Sequence, residues 1–154
     1  MLQQGMVHAL REIHRLIKST GYLVDIHPTQ EKTQFEVHEK NGKVTLSVQV
    51  PGQTFTDIRH AEDAIDRVKR EGFYSLEKAI EFEIRIYASS IKEMCDYLVK
   101  ESAYDETPPH ELAALQQEEL VKKVERSLHD AGRGSQMACV YPARISRLKP
   151  LRKT

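Results

Sequence analysis

Between about Gln4 and Lys18, Val7, Leu10, Ile13 or His14, and Ile17 recur at three- and four-residue steps, with Arg11, Glu12, Arg15 and Lys18 on the other faces. That period predicts an amphipathic helix. Gly21 is expected to end it in a left-handed cap conformation. Tyr22–Ile26 reads as a short buried strand, stopped by His27-Pro28 because proline has no N–H for a ladder. Gln34–Glu39 and Lys43–Val50 then alternate polar and apolar around Asn41-Gly42, the pattern of a β-hairpin with a type I′ turn.

A helical period returns from Thr56 or Asp57 to Glu71, with Ile58, Ala61, Ile65 and Val68 as its stripe and Gly72 as its stop. Phe73–Tyr87 switches to period two: Ile80, Phe82, Ile84 and Ile86 share one face, and Glu81, Glu83 and Arg85 share the other. This predicts a strand with the isoleucine face covered and the charged face wet. Ser90, three residues before Glu93, opens a third helix with a capping box, and Ile91, Met94, Cys95 and Leu98 form its buried stripe. A fourth helix is predicted from Pro109 to Ala131, and a last strand from Gln136 to Leu148, edge or bulged because of Pro142. The order of elements implies an α+β fold: a mixed, largely antiparallel sheet with an Asn-Gly hairpin and helices packed on it. Residues 1–148 are expected to form a single domain and residues 149–154 a basic tail.

Composition narrows the classes. The chain has 154 residues, 40% of them hydrophobic and 30% charged, which excludes a disordered or fibrous chain. Its 23 Lys plus Arg balance 23 Asp plus Glu, leaving no surplus cation for general nucleic-acid binding. No apolar run approaches the ~20 residues of a membrane-spanning helix, and no export signal is read at the start. A cytoplasmic protein is expected, with Cys95 and Cys139 reduced and buried.

One segment resembles a known family. Residues 9–28 pair an amphipathic helix with a strand, and Leu10, Glu12, Arg15, Leu16, Lys18 and Gly21 match the helix–turn–strand unit of class I S-adenosylmethionine-dependent methyltransferases. Ser19-Thr20 stand where that family usually has Pro-Gly. The resemblance implies a methyltransferase-like C-terminal part without the cofactor-binding half, hence no cofactor and no catalysis alone. It also implies that Tyr22–Ile26 derives from a parallel sheet and has lost a neighbour. A second copy of the chain, or another protein, is expected to cover that edge.

Candidate chemistry is sparse. Asp25 and His27 share a strand face at its carboxyl end, where a carboxylate can orient an imidazole for proton transfer. They are the candidate catalytic pair. His14, His27 and His38 lie on three separate elements without metal-ligand spacing, so no metal is expected. Three functions therefore stand open: a partner-dependent methyltransferase-like segment, an independent α+β interaction module, and a small enzyme using Asp25 and His27. A homodimer or a protein partner is expected, with neither nucleic acid nor membrane.

Overall fold

A computed structural model describes residues 2–152. The elements run α1 (Leu2–Leu16), β1 (Leu23–Pro28), β2 (Gln34–His38), β3 (Val44–Gln49), α2 (Thr56–Arg70), β4 (Tyr74–Ala88), α3 (Ile91–Glu101), α4 (His110–Ala114), α5 (Glu118–Ala131) and β5 (Gln136–Pro150). The fold is α+β. Its five-stranded sheet has the order β1-β5-β2-β3 with β4 on β5, and β1 with β5, β2 with β5 and β2 with β3 all pair antiparallel. The resemblance to methyltransferases implies a strand of parallel-sheet origin at Tyr22–Ile26; β1 lies antiparallel to β5 instead.

The residues group into two compact units. Unit 1 holds residues 1–31, 54–82 and 142–154, and unit 2 holds residues 32–53 and 83–141. In unit 1, α1 and α2 cover one sheet face. Val7, Ala64, Val68, Tyr74 and Leu148 are its buried core, with Leu10, Leu23 and Phe73 packed around them. Arg11 reaches from α1 to the Glu71 carboxylate, just past α2, with contacts of 2.7–3.1 Å. That guanidinium, followed by Arg67, holds the Glu71 carboxyl below its ordinary range. In unit 2, Phe35, Val37, Met94, Leu98, Val124, Met137 and Cys139 form a core between the strands and α3–α5.

Several elements differ from the sequence expectation for local physical reasons. Gly21 has no positive φ; a Cβ there would meet Ile17 Cγ1 at 3.1 Å, so the glycine allows a close approach and makes no left-handed cap. In the hairpin only Gly42 has positive φ, 87°, and its N–H bonds the Glu39 carbonyl at 2.8 Å. The turn is therefore not type I′. Lys40 and Asn41 make the corner and Gly42 takes the left-handed bulge position, with the register shift falling between Val37 and His38.

The single helix expected over 109–131 is two helices. Gln116 and Gln117 bond back only three residues, to Ala113 and Ala114, and Gln117 is extended, so the chain unwinds and restarts. Ser90 does cap α3, its hydroxyl accepting from the Glu93 N–H at 3.1 Å. The Glu93 carboxylate accepts from Ser89, one residue earlier than a capping box places it. β5 is no edge strand: it has β1, β2 and β4 as neighbours, and Pro142 falls between the residues paired with β2 and those paired with β1. Lys149 and Pro150 belong to that strand, and Leu151 bonds the Phe73 carbonyl at 2.8 Å, so these three residues are not a free tail. Lys153 lies outside the described residues.

The largest departure is in β4. Its predicted covered face is open: Ile80, Phe82 and Ile84 are exposed, and only Ile86 packs against a core.

Candidate functional site

β1 alternates strictly, with Leu23, Asp25 and His27 half-buried and Val24, Ile26 and Pro28 exposed. Register sets Leu23 opposite Leu148, Asp25 opposite Ser146 and His27 opposite Arg144. Since Leu23 and Leu148 pack under α1 and α2, Asp25 and His27 lie on that same covered face. Together with Glu62, Ile65, Asp66 and Lys69 of α2 and with Leu76, Ala79 and Glu81 of β4, they line a cleft of about 370 Å³. Such a volume suits a small molecule.

The sequence-predicted pair is brought together. Within hydrogen-bond reach, His27 Nδ1 lies 2.6 Å from Asp25 Oδ2. An ionised carboxylate only accepts, so a proton is assigned to Nδ1, and in the neutral tautomer this assignment makes Nε2 an acceptor. Nε2 is buried and has no hydrogen-bond partner among the described residues. The Glu62 carboxylate stands 3.6 Å from it, and the His27 side chain is only 13% exposed. Glu62 in turn accepts from the Gln30 side-chain amide. Sequence reasoning missed Glu62. Its signal is the row Glu62, Ile65, Asp66 and Lys69 on α2, at helical spacings of three and four beside the apolar stripe.

The cleft's cations are already engaged: Arg144 with Glu81 at 2.6 Å and Lys69 with Asp66 at 2.9 Å. The Glu81 hydrogen bond raises the Arg144 pKa further above its ordinary value. The other candidates go elsewhere. His14 bonds the Leu151 carbonyl at 2.7 Å and stands edge-on to Phe73 and Tyr74, while His38 bonds Glu36 at 2.7 Å in unit 2. Among the described residues no cluster of three or more His, Cys, Asp or Glu is placed to hold a metal. No helix among them is long and apolar enough to cross a membrane.

Neither cysteine is poised as a nucleophile, since only the thiolate attacks. Both are free; burial pushes the Cys139 thiol up to about 12 and raises that of half-buried Cys95. Iodoacetamide at neutral pH is expected to leave Cys139 unmodified in the folded protein and to label it once the chain is unfolded. Peptide mass spectrometry reads the difference, and labelling of Cys139 in the native state would contradict its placement in the core.

Comparison with protein-family models, with curated proteins and with solved structures finds no match. Function must be read from the geometry itself.

The reverse face of the unit 1 sheet is the second feature. Glu81 meets Arg144 on the cleft side, so Ile80 and Phe82 point the other way, where Ile26 stands opposite Ile145. Val24 and Ile26 are 54% and 58% exposed, and Ile80 and Phe82 of β4, the other neighbour of β5, are exposed as well. Leu76 and Ala79 both line the cleft although they are three positions apart, and Glu77 reaches Arg147 at 3.1 Å. The alternation of β4 therefore skips a residue near Lys78. Arg147 also lies 4.8 Å over the Tyr22 ring. Arg144 and Arg147 are thus both held in ion pairs within unit 1.

Proposed function

We propose that this chain is a cytoplasmic, non-enzymatic α+β interaction module that self-associates through the uncovered face of the unit 1 sheet. The observation carrying this reading is an inverted strand. In β1 the polar pair Asp25 and His27 lies beneath the helices, while Val24 and Ile26 face water. A sheet with one covered face ordinarily alternates hydrophobic-in and polar-out. A contiguous open face of β-branched and aromatic side chains marks a surface that another molecule covers.

The chemistry of the face favours a second copy. A two-fold interface uses one patch twice, so the patch must complement itself. An apolar centre built from Val24, Ile26, Ile80, Phe82 and Ile145 meets that condition. Its flanking charges carry both signs, Glu77 pairing with Arg147, and a rim of a single sign would repel its own copy. The zero formal charge of the chain removes any general repulsion between copies.

The methyltransferase-like reading rests on residues 9–28, and the antiparallel pairing of β1 gives it no parallel neighbour to build on. What it shares with this proposal is the dependence on a second chain.

Light scattering of the wild-type chain and of Ile26→Glu tests the proposal. The variant is expected to weaken self-association by roughly 100-fold or more, because an unpaired carboxylate at an apolar interface costs several kcal/mol. Circular dichroism should be unchanged, since the position is exposed within one protomer. Equal masses for the two proteins would refute the assignment of this face.

A further inference from the structure

The cleft has an electrostatic remainder that the folded chain does not satisfy. Of its four carboxylates, Glu81 and Asp66 are matched by Arg144 and Lys69. Asp25 and Glu62 flank His27, and among the described residues neither forms an ion pair with a lysine or arginine, Arg144 acting on Glu62 only at longer range. Between them, Nε2 of His27 and Oε1 of Glu62 stand 3.6 Å apart as two acceptors, with Nε2 buried and unpartnered. A buried acceptor without a donor is costly, and a single group with several N–H bonds can serve Nε2 and the Glu62 carboxylate together. Ile65, Leu76 and Leu148 supply an apolar wall close by.

We propose that this cleft binds a small aliphatic amine, its ammonium donating to His27 Nε2 and to the Glu62 carboxylate, and its carbon chain lying against Ile65, Leu76 and Leu148. The ammonium neutralises charge where the chain leaves it unbalanced, and charge-assisted hydrogen bonds in a half-buried site are the strong ones. Asp25 is a positioning residue here: it keeps the His27 proton on Nδ1, so that Nε2 stays an acceptor. An anionic ligand finds no free cation, because Arg144 and Lys69 are both paired. A neutral alkyl ligand leaves the two acceptors without the positive charge they favour.

The test is a titration of the full chain at neutral pH with 1-butylamine, and separately with butyrate and 1-butanol. The His27 imidazole resonances are followed by NMR and the heat by calorimetry. Butylamine is expected to bind saturably and to move the His27 signals, whereas butyrate and butanol are not. Glu62→Gln should weaken amine binding roughly tenfold or more, since it removes the charged acceptor but keeps the shape. Ile80→Glu, on the reverse face of the sheet, should bind the amine as the wild type does, which separates this site from the self-association surface. Butyrate or butanol moving His27 as readily as the amine would overturn the assignment. So would a native spectrum in which butylamine leaves His27 unmoved, or loss of amine binding in Ile80→Glu alone.

Discussion

Phe35→Ala is expected to destabilise the protein by about 3–5 kcal/mol, the usual range for deleting a buried aromatic ring. Phe35 is 1% exposed at the middle of β2, with Val48 of β3 and Cys139 of β5 as its register partners. Met94, Met137 and Val124 belong to the same buried cluster. The loss combines the ring's transfer to water with the void left among residues held by strands on both sides. Since a domain's whole stability is ~5–15 kcal/mol, this one change takes a large share of it. Urea denaturation should show a lower midpoint at an unchanged slope. Phe82→Ala is the comparison: Phe82 is 37% exposed within the protomer, and its effect on protomer stability should be clearly smaller than that of Phe35→Ala.

Tyr74→Ala should cost the protein a comparable ~3–5 kcal/mol. Tyr74 is 1% exposed in the unit 1 core, and its hydroxyl donates to the Leu10 carbonyl at 2.8 Å, tying β4 to α1. Tyr74→Phe isolates the hydroxyl and should cost about 1 kcal/mol, the net worth of one such bond. Burial raises the Tyr74 pKa above the ordinary 10.0. The folded state therefore binds this proton more tightly than the unfolded chain does. The corresponding stabilisation is complete below pH 10.0 and is lost as pH rises through the folded value. Tyr74→Phe should accordingly show a shallower loss of stability with alkali. Denaturation profiles at neutral and alkaline pH check this, and identical slopes for the two proteins would contradict it.

Local signals in the sequence carried the fold class. The stripe of α2, the Ser90 cap and the alternation around Asn41-Gly42 are each decided by residues within a few positions of one another, and each element formed. The largest failure depended on distant partners. Period two in β4 identifies its two faces but not which of them meets a helix; α1 and α2 pack on the Asp25 and His27 side of the unit 1 sheet, so Ile80 and Phe82 face outward. The break at 115–117 leaves a trace in the sequence: Leu115 and Val121 are six positions apart, off one helical face, so the apolar stripe changes phase there. Asp25 and His27 were legible as a pair because strand neighbours two apart share a face. Glu62 was not, because only tertiary packing brings α2 over β1.

The central claim is that Val24, Ile26, Ile80 and Ile145 meet their own copies. The most direct measurement mixes isotopically labelled and unlabelled chains and records nuclear Overhauser effects between them. The account predicts intermolecular contacts among these methyl groups, and their loss in Ile26→Glu. A mixed sample with no intermolecular contact at these methyls, or with contacts only from another surface, would contradict it.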